Sequence, residues 1–260
     1  MLELARSQSD AVVDANWATP RPQNLVLGLA RTNEELEAIQ RLRYNVFTEE
    51  MHAVFPNAVD GLDTDRYDSW CEHLMVKDTS SGMVVGTYRL LPPEHARKAG
   101  GYYSATEFDL SGLGHLYPTM AEVGRSCTHP DYRSGAVIML LWSGIANLMQ
   151  QHGFQYVLGC ASVSLRDDGV TAAEVWRVAS KALANQPDLH RVVPRHRYPV
   201  ERLDSALPAS IPPLIKGYLK LGASICGEPA WDPDFNTADF PVLLDINNMD
   251  ARYRRHFGID

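Results

Sequence analysis

Short apolar runs alternate with longer amphipathic segments along this chain. Residues 24–31 form a first apolar run that predicts a strand, and Thr32-Asn-Glu-Glu35 is a capping box that predicts the start of a helix. The helix carries apolar residues at helical spacing and is expected to run to about Met51. Arg43 and Phe47 are four residues apart, so they lie on one face of it.

The rest of the chain continues as a mixture of strands and helices. The segment Asp78–Gly82 has the composition of a hairpin turn between two strand-like runs. The pattern predicts strands at 73–77, 84–91, 120–128, 156–163, 224–226 and 240–246, and helices at 135–152, 172–185, 211–221 and 249–257. This order favours a mixed α/β domain. We expect a flexible leader at 1–22 and a single domain at 23–260, with a C-terminal elaboration from about residue 187.

Composition excludes several classes of protein. The formal net charge of -8 argues against a protein that follows nucleic-acid phosphates, so no nucleic-acid partner is expected. The four cysteines are widely spaced without a CxxC pair, which favours reduced thiols in a cytoplasmic protein over a disulfide framework or zinc site. The longest apolar run, residues 136–149, is too short to span a bilayer. Peripheral contact with the inner membrane stays open.

A carboxylate and a guanidinium interrupt an otherwise apolar strand. Glu122 and Arg125 are three residues apart, and side chains on a regular strand return to the same face every second residue. Both can face one site only if a bulge separates them, and Gly124 stands where that bulge is expected. The alternative is a structural ion pair near the strand end. His129, just beyond the strand, is a rival to Glu122 as a base, although its position before Pro130 favours a structural role.

An acidic loop precedes the second strand. Its carboxylates are Asp60, Asp63, Asp65, Asp68 and Glu72. Crowded carboxylates raise one another's pKa unless a cation lies among them, so a cationic partner is expected: Arg43, a metal or a substrate amine. The EF-hand ligand pattern is missing, which excludes calcium, and no bound metal is expected. A solvated acidic loop is the alternative.

The charged positions gain specificity when they are taken in chain order. Arg89 lies in the strand-like Thr87-Tyr-Arg-Leu-Leu91, where an arginine points into a cleft or extends to water. The ordered set is Arg43 with Phe47, then Asp65 with Asp68, then Arg89, then Glu122 with Arg125. If the elements converge, these residues form a charged cluster at one end of a sheet.

This order resembles the signature of the N-acyl-homoserine lactone synthases. The surrounding sequence is more similar to the haemolysin-like N-acyltransferases, which make lyso-ornithine lipid, and to the N-acyl amino acid synthases. The similar segments are 42–51, 122–135, 213–218 and 234–239, and the resemblance extends over roughly residues 25–258.

The resemblance implies the GNAT fold: a mixed, mostly antiparallel sheet with a central bulge, flanked by helices. It implies an acyltransferase that moves a fatty acyl group, often 3-hydroxylated, to the α-amino group of an amino acid, ornithine first. Glu122 and Arg125 would then be catalytic, with Glu122 as the base. The substrate-binding set would be Arg43, Phe47, Asp65, Asp68 and Arg89.

The donor that the resemblance implies is acyl carrier protein, as a co-substrate rather than a bound cofactor. Acetyl-CoA users of this fold carry a pyrophosphate-binding loop that is one residue longer than Arg133-Ser-Gly135-Ala136, and a carrier-borne thioester has no such pyrophosphate. Carrier proteins are acidic, so a basic docking surface is expected. The candidates are Arg191, Arg195 and Arg197, with Arg252, Arg254 and Arg255 as a second patch. Anionic lipid contact and plain solvation are the alternatives.

Two other functions stay open. One is an N-acyl-homoserine lactone synthase or another N-acyl amino acid synthase. The other is a catalytically silent, acyl-binding, membrane-associated protein.

Overall fold

The computed structural model describes residues 24–56, 58–184, 190–202, 210–257 and 259. The predicted leader at 1–22 lies outside them. The helices are α1 Asn33–Val46, α2 Pro93–Lys98, α3 Ala136–His152, α4 Val170–Leu183, α5 Pro213–Leu221 and α6 Ala251–Phe257. The strands are β1 Leu25–Leu29, β2 Glu72–Asp78, β3 Val84–Leu91, β4 Phe108–Asp109, β5 Met120–Thr128, β6 Tyr156–Ser164, β7 Val193–Pro194, β8 Ser224–Ile225, β9 Ala230–Asp232 and β10 Thr237–Asp245.

The pattern of apolar residues predicted the longer elements, and four short ones were missed. Thr32 caps α1 as predicted, because its hydroxyl accepts a hydrogen bond from the Glu35 N–H at 3.2 Å. A π-helical turn, Phe47–Met51, extends this helix to the expected end. The missed elements are α2, β4, β7 and β9, which are too short to show a period.

One sheet contains strands from both halves of the chain. Its order is β1-β2-β3-β5-β6-β10-β8, with β9 also paired to β10. Every pairing is antiparallel except that of β5 with β6. The predicted mixed, mostly antiparallel sheet flanked by helices is therefore confirmed. A separate pairing of β4 with β7 ties the segment after residue 190 to the loop after α2.

The parallel strands β5 and β6 separate soon after they meet. Their register runs only from Met120 opposite Tyr156 to Glu122 opposite Leu158. Beyond this point β5 continues along β3, and β6 continues along β10. The sheet therefore opens between its two central strands, directly after Glu122.

A bulge in β5 lies at this opening. Arg89 pairs with Gly124 and Thr87 pairs with Cys127, so Arg125 and Ser126 both face Tyr88. The bulge is central, as predicted, but its assignment to Gly124 is wrong, since Gly124 continues the regular ladder. Arg125 instead takes a φ of 51°, a conformation that costs a side-chain-bearing residue about 1–2 kcal/mol.

Helices cover both faces of the sheet. Leu42, Val46 and Phe47 pack with Cys127 on one face. On the opposite face α3 lies so close to β3 that a side chain on Gly86 would come within 2.2 Å of Val137 Cγ1. The first face also carries Arg89 and Glu122, because Leu91 pairs with Glu122 and strand residues two apart share a face.

Candidate active site

The acidic loop and the arginines form a buried ion-pair network beside the sheet. Arg43, fully buried, donates to both oxygens of Asp68 at 3.1 and 3.0 Å, and its Nε lies 2.8 Å from Asp63 Oδ2. Asp68 also accepts from Arg89 at 2.8 Å and from Gln40 at 2.9 Å. The expected cationic partner of the loop is thus found in the chain's own arginines.

Three further contacts balance the charges of this network. Arg89 lies 2.7 Å from Asp65 Oδ1. Arg125 lies 3.4 Å from Asp63 and 3.6 Å from Asp65. Three arginines therefore meet three aspartates. The sequence did not single out Asp63 from its acidic neighbours, although it contacts both Arg43 and Arg125.

The network fixes the charge states of Asp68 and Arg89. Burial alone would raise the pKa of Asp68, but Arg43 and Arg89 bring it well below its ordinary value. Burial opposes the charged form of Arg89 as well, yet Asp65 and Asp68 raise its pKa above the ordinary value. These groups stay ionised because each supplies the other's counter-charge.

Glu122 is held differently. It is 5% exposed, and its two oxygens accept hydrogen bonds from the backbone N–H groups of Tyr103 at 2.6 Å and Ser104 at 2.7 Å. Burial raises its pKa, and these hydrogen bonds oppose the rise. Within the described residues, Arg125 pairs with Asp63 and Asp65 and not with Glu122. The alternative interpretation of the sequence, a structural ion pair between Glu122 and Arg125, is therefore wrong.

Arg125 is positioned by rings as well as by charge. Its guanidinium lies 5.4 Å from the centre of the Tyr103 ring and 5.1 Å from that of Phe235. Cation–π contacts and two carboxylates therefore hold the Arg125 side chain in place at the bulge, where its backbone conformation is unusual.

A polar cavity of about 200 Å³ opens on this face. Its wall includes four of the residues that sequence assigned to the site: Phe47, Arg89, Glu122 and Arg125. Three others, Arg43, Asp65 and Asp68, are not part of the wall and lie behind it in the ion-pair network. His129 also lies outside the wall, and its Nδ1 accepts from the Asp131 N–H at 3.3 Å.

A second cavity, of about 70 Å³, is almost wholly apolar. Trp142 and Met149 of α3, Leu244 of β10 and Phe257 of α6 contribute to its wall. The two cavities share Tyr88, Val123, Cys160, Ala161 and Tyr218. They therefore meet where β5 and β6 diverge.

Several residues of the polar cavity were missed as site residues. They include Tyr88, Tyr103, Ser104, Cys160, Tyr218, Asp232 and Asp239. The hydroxyls of Tyr88 and Tyr218 are 2.5 Å apart, and burial raises the pKa of Tyr88 to about 12. Tyr218 and Asp239 stand inside the segments that carried the family resemblance, which was a usable signal. Tyr103 and Ser104 contribute backbone amides to Glu122, which leave no side-chain signature.

The three arginines proposed for docking are exposed and occupy one segment around β7. Arg195 donates to the carbonyl oxygen of Ala105 at 2.9 Å. Arg197 is paired with Glu201 at 2.9 Å and with Glu228 at 2.7 Å. Arg191 donates to the carbonyl oxygen of Leu183 at 3.1 Å. In the described part of the chain, no helix is long and apolar enough to cross a membrane.

Comparison with known proteins agrees with this architecture. The model of the acetyltransferase (GNAT) domain family matches residues 42–143. The structure of FeeM, an N-acyl amino acid synthase from uncultured soil microbes, has a TM-score of 0.53 at 11% identity and covers 88% of this chain and 94% of that one. The AHL synthase LasI has a TM-score of 0.50 at 12% identity, with coverage of 86% and 91%. The expected GNAT fold is confirmed.

Curated relatives are closer in sequence. The L-ornithine N(alpha)-acyltransferase of Rhizobium meliloti is 36% identical over 263 residues, which span 92% of this chain and 86% of that protein. The one from Brucella abortus is 35% identical over 279 residues, spanning 99% and 95%. The chain is an acyltransferase that belongs to the family of the L-ornithine N(alpha)-acyltransferases.

Proposed function

We propose that this enzyme transfers a fatty acyl group, 3-hydroxylated in the lipid-forming reaction, from acyl carrier protein to the α-amino group of ornithine. The product is N-acylornithine, a lyso-ornithine lipid. Relatives that match almost the whole chain carry the name of this activity. The observation that carries the proposal is the junction of a polar and an apolar cavity at the divergence of β5 and β6.

The junction is suited to a reaction between a lipid thioester and a polar amine. The apolar cavity takes the acyl chain, and the polar cavity takes the amino acid. The thioester carbonyl then lies at the shared residues Val123, Cys160 and Ala161, between the two substrates. Holding both reactants in this way converts a bimolecular encounter into an effectively intramolecular step.

Glu122 is the proposed general base. An ammonium group is not a nucleophile, so one proton must leave it before the nitrogen attacks the thioester carbon. The raised pKa of Glu122 makes its carboxylate a better proton acceptor than an exposed glutamate, directly or through a water molecule. The hydrogen bonds from Tyr103 and Ser104 hold the carboxylate in place while it works.

The strand opening supplies the stabilisation of the developing oxyanion. Beyond Glu122, β5 is no longer paired with β6, so backbone N–H groups on that edge are free of ladder bonds to it. Donors fixed in this way stabilise the oxyanion without reorganising, which is the largest contribution in many acyl transfers. Collapse of the intermediate forms the amide C–N bond, breaks the C–S bond and releases the carrier thiol.

The remaining predicted site residues have supporting roles in this proposal. Arg125 and Arg89 present positive charge to the substrate carboxylate, and Phe47 closes the wall beside them. Arg43, Asp65 and Asp68 act on the substrate through these arginines, because they lie behind the wall. Asp68 contacts both Arg43 and Arg89, so it links the buried arginine to the one in the wall and holds Arg89 directly.

The donor is assigned from the loop before α3 and from surface charge. Arg133 is engaged by Glu50 and by the carbonyl oxygen of Thr128, in the shortened loop that ends at Gly135. Carrier protein would dock on the exposed surface of Arg191, Arg195 and Arg197. Such a donor and a lipid product place the reaction in the cytoplasm, with peripheral contact at the inner membrane.

The test is a direct assay with purified protein. Ornithine is supplied with 3-hydroxyacyl carrier protein or with the matching acyl-CoA, and products are identified by mass spectrometry. We expect N-acylornithine with the carrier-borne donor and a much lower rate with CoA. Acylated homoserine lactone formed from S-adenosylmethionine would indicate the lactone synthase instead. Bound acyl donor with no amide product from any amino acid would indicate a silent acyl-binding protein.

A further inference from the structure

A group of buried acidic side chains outside the ion-pair network borders the polar cavity. Asp239 on β10 lines the cavity and is only 4% exposed. Glu107, which precedes β4, lies behind it, and their carboxylate oxygens are within 4.8 Å of each other and of Cys160 Sγ. Asp232 on β9, which is partly buried, is the third carboxylate of the group and also lines the cavity.

Glu107 lacks the partners that a buried carboxylate requires. Each of its oxygens exposes less than 1 Å² and accepts no hydrogen bond from the described residues. Thr237 Oγ1 donates to Asp239 Oδ1 at 2.7 Å, and the backbone N–H groups of Asp234 and Phe235 donate to Asp232. None of these donors is a cation. Burying carboxylates without a counter-charge is costly, so the group must either hold a proton or bind a cation.

The surrounding charges do not complete it. Within the described residues no basic side chain is in ion-pair distance of Glu107, Asp232 or Asp239. Arg125 acts on Asp232 from a distance but is already paired with Asp63 and Asp65. Burial, then the charges of Asp239 and Asp232, raise the pKa of Glu107 to about 9. Near neutral pH, Glu107 and Asp239 therefore hold a proton that a cation would displace.

A chain of contacts connects the group to Glu122. The Ser104 N–H donates to Glu122 at 2.7 Å, and the Ser104 hydroxyl is 3.3 Å from Cys160 Sγ. Cys160 in turn neighbours Asp239. Ser162, two residues along β6, pairs with Asp239 on the same face of the sheet. An extended diamino acid with its α-amine at Glu122 would therefore direct its side chain along β6 toward these carboxylates.

We propose that Asp239 and Glu107, with Asp232 at the rim, bind the side-chain ammonium of the acceptor amino acid. The proposal rests on the proposed function, because it assigns the acceptor specificity of the same cavity. Asp239 makes the direct contact, and Glu107 supplies the second negative charge from behind. When the ammonium binds, the shared proton leaves to solvent, and the group becomes fully ionised. The site then selects a diamino acid over a neutral analogue of the same length.

The experiment compares two acceptors that differ by one amine. Ornithine and norvaline are assayed with the same acyl-carrier donor, using the wild type, Asp239→Asn, Glu107→Gln and the control Asp131→Asn, whose side chain is 84% exposed and outside the cavity. We expect the wild type to favour ornithine. Asp239→Asn should lower kcat/KM for ornithine at least about 100-fold, mainly through KM, because the ammonium loses its charged partner. The rate with norvaline should change little, and Glu107→Gln should show a smaller loss of the same kind.

Each other result contradicts the proposal in a recognisable way. If the wild type acylates ornithine and Asp239→Asn keeps the same preference as Asp131→Asn, the site is wrong and the function stands. If the wild type acylates no ornithine, the function fails and the site with it. If Asp239→Asn and Glu107→Gln each lose kcat/KM equally with ornithine and norvaline, at an unchanged melting temperature, the two residues act in the reaction and not in recognition. Stoichiometric bound metal in the purified enzyme, measured by elemental mass spectrometry, would make the cluster a metal site and overturn the proposal.

Discussion

Two sets of buried charges lie on the same face of the sheet and are completed in opposite ways. In the ion-pair network of Arg43, Arg89, Arg125 and three aspartates, every charge has a counter-charge from the chain. In the second, unbalanced set, Glu122 accepts hydrogen bonds from two backbone N–H groups and forms no ion pair within the described residues, and Glu107 with Asp239 has no cationic partner there either.

The difference separates two roles at one cavity. The balanced ion-pair network stiffens the wall of the cavity and fixes Arg89 and Arg125, which the proposed function places beside the substrate carboxylate. Carboxylates that lack a cationic partner have a raised pKa and are stabilised by a positive charge that binds beside them. An acceptor amine brings such a charge. Acidic side chains that are close in space can therefore have unlike functions, and their partners distinguish them.

The largest expected effect tests Glu122 as the base of the unbalanced set. In Glu122→Gln the side chain keeps its shape and one acceptor for the Tyr103 or Ser104 N–H but loses its basicity. The acylation rate with ornithine should fall about 10²–10⁴-fold, the usual contribution of a general base. Single-turnover assays with preloaded donor isolate the chemical step.

The control for this variant is donor binding, which should be unchanged. A near-native rate in Glu122→Gln would move the base elsewhere. It would also leave Glu122 as a structural residue of the loop that contains Tyr103 and Ser104.

The second prediction concerns the balanced network. Arg43→Met removes a fully buried cation and leaves Asp63 and Asp68 facing each other with less compensation. Breaking a buried ion pair from one side costs about 3–5 kcal/mol in the free energy of unfolding. The measurement is urea denaturation, with the midpoint and slope both fitted.

A matched control is Arg31→Met. Arg31 is 68% exposed and lies 3.7 Å from Glu72, so its loss should cost at most about 1 kcal/mol. Equal losses of unfolding free energy in both variants would mean that Arg43 contributes no more to stability than an exposed charge does.

The pH dependence of stability should have opposite signs in the two sets. Asp68 has a folded pKa below its ordinary 3.8, so its contribution is present above that pH and is lost as pH falls. Glu107 has a folded pKa raised from 4.5 to about 9, so its contribution is present below 4.5 and is lost as pH rises through about 9. Each group changes the slope by at most about 1.4 kcal/mol per pH unit.

Denaturation across pH in two variants tests these signs. Glu107→Gln should flatten the decline in stability between pH 4.5 and about 9, and Asp68→Asn should flatten the decline below pH 3.8, whatever their absolute stabilities. If Glu107→Gln leaves the slope between pH 4.5 and about 9 unchanged or steeper, Glu107 is ionised in the folded protein, and the contrast between the two sets is lost.

The sequence predicted the balanced set better than the unbalanced one. The order of the charged residues along the chain, from Arg43 through Asp68 and Arg89 to Arg125, was visible because it matches a family signature, and Arg43 and Arg89 lie in elements with a clear period. Spacing also required a bulge between Glu122 and Arg125, but the sequence placed it at Gly124. In the fold Arg125, not Gly124, leaves the ladder, and its partners Asp63 and Asp65 lie on an element that meets the strand only in the fold.

The unbalanced set left weaker signals for physical reasons. Residues 98–119 supply the amides for Glu122 and also contain Glu107. They have no hydrophobic period, so the sequence did not predict where their side chains and amides lie. One member of the balanced network, Asp63, was hidden as well, because it was one of five acids in a loop and only the fold selects it. Asp239 is the exception that the sequence could have revealed, because a carboxylate within the apolar run Ala238–Leu244 has to be buried.

The smallest expected effect concerns exposed charges, which belong to neither buried set. Reversing Arg195 and Arg197 together should weaken affinity for acyl carrier protein about tenfold at low salt, because rim charges mainly affect association rate. The loss should shrink as salt is added, since exposed charges are screened. The readout is kcat/KM for the carrier-borne donor over a range of salt concentrations. A small acyl-pantetheine thioester, which has no carrier to dock, should react equally well with both proteins. Reversal of Arg252 and Arg255 on α6 is the matched control, and a larger loss there would assign docking to α6 instead of the segment around β7.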